Sequence, residues 1–415
     1  MQDAGKKLRR NMKMFKKVLS LVLAVAMLCT LAVSLTSCGD KDDGVFRLGV
    51  ICLHDEASTY DKNFIEGVER AKTQLGLSDD QVIYKKNVPE SAECTVAADD
   101  LVDQGCDIVF ANSFGHESFL MESAKKHPKV QFCHATGTKA HTEGVANFHN
   151  AFASIYEGRY LAGVAAGLKL NEMIDEGKIT ADKAKMGYVG AYTYAEVISG
   201  YTSFYLGAKS VCPSVTMEVQ FTGEWYHEIK EKEAATALIN NGCVLISQHA
   251  DSMGAPSVCE EKGVPNISYN GSTVASCPNT FIVSSKIDWT PYFVYICNAV
   301  KDGKTIDVDW TGTIGTGSVA LSEINTAAAA EGTQATLEAV KAKLQSGEIK
   351  VFDTNTFTVG GNKIADDHKA DVDDFGDYVA DTDVVDGGAF QESKFRSAPY
   401  FDLRIDGIKL LNEKF

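Results

Sequence analysis

From Phe46 onward the chain alternates short continuous apolar runs with longer stretches whose apolar side chains recur every three or four residues. Phe46–Cys52, Gln81–Tyr84, Asp107–Ala111 and Val130–His134 read as buried strands. Asn63–Leu75, with Phe64, Val68, Ala71 and Leu75 on one face, and then Ala97–Gln104 and His116–Lys126, read as the helices between them. Gly144–Phe148 follows, and then a long small-residue helix from Ala153 to about Met173. Strand–helix alternation of this kind predicts a mainly parallel sheet covered by helices.

The pattern then restarts. Met186–Ala191, Val215–Phe221, Cys243–Gln248, Pro265–Tyr269 and Thr280–Ser285 predict strands, with helices over Glu196–Lys209, Ile229–Asn240, Met253–Lys262 and Trp289–Val300. Two α/β units joined through residues near 174–185 make a bilobal chain with a cleft. The expected first lobe is 46–150 plus about 286–315, and the second is 175–285 plus about 316–355. A helix in Thr333–Gly347 and a strand at Glu348–Phe352 would close the second lobe. Residues 356–415 read as an acidic C-terminal extension: nine aspartates fall between Asp366 and Asp386, and alternation returns only in Ser397–Asn412. Asp371-Val372-Asp373 invites a calcium-loop reading, but Phe375 stands where a third oxygen ligand belongs, which favours an acidic surface loop.

The first residues differ in kind. Lys6, Lys7, Arg9, Arg10, Lys13, Lys16 and Lys17 precede an apolar run from Val18 to Val33, and Leu35-Thr36-Ser37-Cys38-Gly39 follows. A basic segment, a hydrophobic segment and a small-residue site make a secretory signal, too short for the roughly 20 residues of a spanning helix. The run ending in Cys38 looks like a bacterial lipobox, which predicts signal residues 1–37, a lipidated Cys38, a tether over 38–45 and attachment to the extracytoplasmic face of the cell membrane. Met1, Met12 and Met14 all remain possible starts.

The 415 residues carry a formal charge of −16, and removing seven basic residues and one acid with the signal takes it to −22. That excludes a phosphate-backbone-binding role on charge alone, so no nucleic-acid partner is expected. Nine cysteines follow Cys38, an odd number without a C-x-x-C pair. Most lie in apolar runs, as in Gly242-Cys243-Val244, and read as buried free thiols rather than disulfides or zinc ligands.

In open α/β sheets ligands bind beyond the carboxyl ends of the strands. The loops at those ends carry Tyr60 and Asp61, Phe114, Glu196, Trp225, His249 and Asp251, Asn270, and Asp288 and Trp289. Aromatic faces stack on flat rings, and carboxylates accept from exocyclic amines or sugar hydroxyls, which suits a nucleoside or a sugar. Structural roles compete at several positions: Tyr60, Asp61 and Asp251 stand where helix caps are wanted, and Glu196 sits in the first turn of its helix. There is no G-x-S-x-G elbow, phosphate-binding loop or H-E-x-x-H, no marked carboxylate pair, and no cofactor or metal motif, so the expectation is a binding protein and not an enzyme.

Beyond the lipobox, the segments FRLGVICLHDEASTYDKNFIEGVERA, IYEGRYLAGVAAGL, MGYVGAYTYAEVISGYTSFYLGAKSV and CVLISQHADSMGAPSVCEEKGV resemble the basic membrane protein family. These are PnrA-like substrate-binding lipoproteins of certain ABC transporters. The resemblance implies a type I periplasmic-binding fold, two doubly wound parallel-sheet lobes on a hinge. It further implies a purine nucleoside or base held between the lobes by aromatic stacking and carboxylates, with ABC permease subunits as partners. Phe114 with Trp225 or Trp289 would stack on the ring, and Asp251 or Asp61 would orient it. Asn270 departs from the PnrA-like branch, where an aspartate tends to bind ribose, and Ile287-Asp288-Trp289 replaces an expected basic residue. The His249-Ala250-Asp251-Ser252 and Trp features look closer to a branch linked with adenine-type ligands. A surface lipoprotein acting as sensor or adhesin without transport is the alternative.

Overall fold

The computed structural model describes residues 44–373 and 378–413, so the signal segment and Cys38 lie outside the described residues. The folded body comprises residues 46–102 and 106 onward. Its first half runs β1 (Leu48–Ile51), α1 (Thr59–Leu75), β2 (Val82–Lys85), α2 (Ala92–Asp103), β3 (Ile108–Ala111), α3 (Glu117–Lys126), β4 (Gln131–Ala135), a short α4 (Ala140–Glu143) and β5 (Phe148–Ala153). Helix α1 begins where the Ser58 side chain accepts from Asp61 N at 3.2 Å, and it ends at Gly76 with φ +64°.

The second half runs α5 (Ile155–Asp175), β6 (Lys185–Gly190), α6 (Ala195–Val211), β7 (Thr216–Phe221), α7 (Glu228–Asn240), β8 (Leu245–Gln248), α8 (Gly254–Lys262), β9 (Asn266–Tyr269) and β10 (Phe281–Ile287). After these come α9 (Thr290–Lys301), β11 (Asp309–Gly312), β12 (Val319–Leu321) and α10 (Thr333–Gln345). Two small ladders, β13 (Lys369–Ala370) with β14 (Thr382–Asp383) and β15 (Val385–Asp386) with β16 (Ala389–Phe390), precede β17 (Ile408–Leu410).

The strands form two large sheets, ordered β11-β5-β4-β3-β1-β2 and β12-β10-β9-β8-β6-β7-β17. Every pair in the first is parallel; in the second only β12 runs antiparallel, against β10. This is the expected doubly wound pair of lobes. The chain crosses between them three times, from β5 to α5, from β10 to α9 and from β11 to β12. Ser154 N to Gly312 O at 2.8 Å and Asp288 N to Ser318 O at 2.6 Å lace these crossings together.

The small residues of the long helix have a packing reason. A Cβ on Gly163 of α5 would stand 2.0 Å from Phe204 O of α6, and one on Gly207 of α6 would stand 2.0 Å from Tyr160 O of α5. The two helices therefore meet backbone to backbone, which only glycine permits.

Three segments differ from expectation. The apolar segment Gly144–Phe148 enters a strand only at Phe148, because Gly144 takes φ +63° and ends α4. Glu348–Phe352 is a turn, not a strand: Gly347 at φ +74° redirects the chain, and Phe352 stacks on Phe401 at 4.3 Å. Residues 356–415 do not trail as an appendage, since β17 adds to the second sheet parallel to β7. All nine cysteines of the described residues are buried and unpaired. No helix among the described residues is long and apolar enough to cross a membrane.

Candidate functional site

The loops at the carboxyl ends of the strands close on a cavity of about 380 Å³. Leu53, Tyr60, Asp61, Ser113, Phe114 and Thr136 line it from the first lobe, and Glu196, Trp225, His249, Asp251 and Tyr269 from the second. The lobes touch around it. Thr59 N and Thr59 Oγ1 both donate to Asp251 O at 3.1 Å, His54 packs on Tyr226, and Phe114 packs on Tyr194 at 5.5 Å between ring centroids.

On the first-lobe side, Asp61 is engaged through its Oδ1. Its carboxylate accepts from His54 N at 3.1 Å and from Asn112 Nδ2 at 2.7 Å, while Tyr60 donates its hydroxyl to Asn112 O at 2.7 Å. The helix cap that competed for Asp61 is supplied by Ser58. Thr136 follows β4 at φ +64°, a left-handed backbone that is costly for a β-branched residue and that concentrates at functional sites.

On the second-lobe side, Tyr194 and Tyr192 stack at 4.9 Å, and Tyr192 meets Trp225 edge-on at 5.0 Å. His249 lies deeper, with Nε2 3.2 Å from Glu196 Oε1 and Nδ1 3.4 Å from the Tyr188 hydroxyl. Burial, and then the nearby Arg159 charge, push the imidazole down to about 4, so the neutral ring donates from Nε2 and accepts at Nδ1. Arg159, quoted in the sequence for its motif but not nominated for the site, is buried behind it. Its guanidinium sits 3.4 Å over the Tyr269 ring and donates to Gln248 O at 3.0 Å.

Asp251 is the unusual member. Glu231 accepts from Ser252 N and from His227 N and so fixes the loop that carries it. At the start of the following helix it is Ser252 Oγ that accepts from Gly254 N, at 3.0 Å. The Asp251 carboxyl, 5% exposed, has no hydrogen-bond partner among the described residues and faces the cavity. Burial pushes it well above the usual carboxylate range, and Asp61, Glu231 and Glu196 add to this against the opposing Arg159.

Seven of the ten nominated residues thus meet at one cavity: Tyr60, Asp61, Phe114, Glu196, Trp225, His249 and Asp251. Trp289 does not. The second crossing delivers it into the first lobe's core, 1% exposed and stacked on Phe64 at 4.3 Å. Asp288 beside it accepts from Arg70 Nη2 at 3.0 Å and from Thr290 N at 2.9 Å, opening α9; burial opposes its ionisation, but these bonds hold it below the usual range. Asn270 takes φ +63° just past β9 and lines a separate crevice with Thr59, Lys62 and Lys286. Thr136 and Tyr269 escaped the sequence reading, although both stand at or just past the carboxyl end of a strand, where the same rule would have nominated them.

A family model described as ABC transporter substrate-binding protein PnrA-like matches residues 49–355. A purine-binding protein of Brucella abortus is 32% identical over 232 residues, covering 55% of this chain and 62% of that protein. A protein of Haloferax volcanii named as an ABC transporter glucose-binding protein is 30% identical over 207 residues, covering 50% of this chain and 49% of that one. The chain therefore spans less than two thirds of either relative's length. Among solved structures, a solute-binding protein of an ABC transporter system from Conexibacter woesei superposes with a TM-score of 0.60 at 20% identity, covering 74% of this chain and 98% of that one. One from Aeropyrum pernix gives 0.62 at 17% identity, covering 74% and 93%. These likenesses establish the periplasmic-binding type I-like fold.

Proposed function

Because the chain belongs to the family of PnrA-like substrate-binding proteins of ABC transporters, we propose that it captures a purine base or nucleoside in the inter-lobe cavity and hands it to permease subunits of an importer. Closure of the lobes would bury the ligand and present the closed surface to the permease. The lipobox at Cys38 supports anchoring on the extracytoplasmic face.

The observation that carries the ligand reading is the Asp251 carboxyl, buried, unpartnered and facing an aromatic-lined cavity. Burial pushes this carboxyl up, and in its protonated form it would offer an O–H donor beside a C=O acceptor. That pair complements a purine edge on which a ring nitrogen adjoins an exocyclic amine. Tyr60 and Phe114 of one lobe and Trp225 and Tyr269 of the other line the cavity, and such aromatic faces suit a flat ligand. The purine-binding Brucella relative points the same way.

Thermal unfolding of residues 39–415 against adenine, adenosine, guanosine, inosine, glucose and amino acids tests the reading. A ligand at 100 times its Kd adds about 2.7 kcal/mol, a shift of a few degrees. A purine should raise the midpoint while glucose leaves it unmoved. A shift with glucose or amino acids alone would overturn the purine assignment.

A further inference from the structure

Beyond residue 355, where the family match ends, the chain turns back across the hinge and holds both lobes. Ser397 N donates to Asp309 Oδ2 at 2.9 Å, on β11 of the first sheet. Ser199 Oγ, on α6 of the second lobe, donates to Glu392 Oε1 at 2.5 Å. Phe390 packs edge-on to Phe401 at 4.8 Å, and Phe401 stacks on Phe352. Residues 389–394 line a cavity together with Ser154 and Thr313, of the first and third crossings, and Thr311 of β11. We propose that residues 389–397 are a strap that clamps the hinge, latched at Glu392, and that ionisation of Glu392 releases it.

Glu392 is 1% exposed. Its carboxyl is held by two hydroxyls, Ser199 Oγ and Ser393 Oγ, and by no cation. Facing it are Glu157 and Tyr156 of α5, Glu196 of α6 and Tyr400, three residues beyond the strap. Lys350 and Lys394 border the same cavity but are held elsewhere, by Gly387 O and by Asp386. Burial first, and then the neighbouring Glu157 and Glu196, push the carboxyl up to about 7. Glu157 also accepts from Ile314 N of the third crossing at 3.1 Å, so a new negative charge at Glu392 arises beside a group that ties the hinge.

The sign follows from the two states. In the docked strap Glu392 titrates near 7, and in a released strap near its ordinary 4.5. Docking is therefore strongest below pH 4.5, weakens between there and pH 7, and is constant above. The whole change is roughly two orders of magnitude in the docking equilibrium. Released, the strap frees β11 from α6, and the lobes open more readily.

Hydrogen exchange on ligand-free protein of residues 39–415 tests this across pH 5–8, with rates corrected for the intrinsic pH dependence and β6 peptides as internal reference. Peptides covering 389–397 should lose about tenfold or more of their protection as pH rises from 5 to 7, and little more from 7 to 8. Glu392→Gln should abolish that dependence. Ser199→Ala should move it to higher pH, because the hydroxyl that favours the ionised form is gone. Constant protection in the wild type, or an unaltered pH dependence in Glu392→Gln, overturns the proposal. If Glu392→Gln does not fold, an unmoved transition in Ser199→Ala overturns it as well. The readout needs no ligand, so it stands or falls separately from the purine assignment.

Discussion

Replacing Asp251 by alanine separates a ligand-binding carboxyl from a structural one, because the two effects have opposite signs. In the ligand-free protein the Asp251 carboxyl is buried, faces the cavity and has no partner among the described residues. Burial without a protein partner disfavours the charged form of this carboxyl, and the void left by its removal merges with existing free space. Asp251→Ala should therefore raise the ligand-free melting midpoint by one to a few degrees. Its advantage should be smallest in acid and grow as pH rises above the ordinary 3.8, since a carboxyl whose folded value is raised destabilises the fold progressively from its unfolded value upward. Binding should move the other way. Losing a buried hydrogen bond to a polar ligand costs about 1.5–3 kcal/mol, roughly 10- to 150-fold in Kd. Calorimetric titration with the purine that scores in the thermal screen reads the second effect, and denaturation without ligand reads the first. Affinity within about twofold of wild type, or a lowered ligand-free midpoint, would refute the assignment.

Other outcomes follow from the same geometry. His249 is held down to about 4 from an ordinary 6.5, so its contribution to stability is complete above pH 6.5 and is lost as pH falls toward 4. Up to about 3 kcal/mol is at stake, and His249→Gln should flatten that acid limb of the stability–pH curve. Trp225→Ala should weaken purine binding by about 1–3 kcal/mol, with a small change in melting midpoint. Trp289→Ala should instead cost about 3–5 kcal/mol of stability, because the ring fills core and not cavity; if it selectively abolished binding in a protein of normal stability, the core placement would be wrong.

Much of the plan was legible because the strands are buried runs bounded by amphipathic helices, and the strand-end rule then nominates loops without coordinates. Phe114, Trp225 and Asp251 were found that way. Trp289 shows where the rule stops. It too follows a strand, yet β10 lies at a crossing, so the residue after it enters the other lobe's core and misses the cleft. Crossings carry no periodicity of their own, and nothing local marks Ile287-Asp288-Trp289 as one. Thr136 stands just past a strand end, within reach of the rule, but its left-handed backbone is something the threonine side chain does not advertise. The C-terminal segment reads as acidic surface because its aspartates outnumber its anchors; alternation marks Phe401 and Ile408 as ordered, but what they pack against, and the role of Phe390, only the tertiary contacts reveal.

The nine sequestered thiols bear on how the molecule ages under oxidising conditions. Burial raises Cys94, Cys106, Cys133, Cys243 and Cys297 to about 12, leaving almost no thiolate to react while the chain is folded. Unfolding exposes all of them together, and an oxidant then joins whichever pairs meet first, with one sulfur left over. Lifetime in an oxidising environment is thereby governed by how rarely the fold opens and not by its equilibrium stability, and heating without a reductant should be a one-way trip.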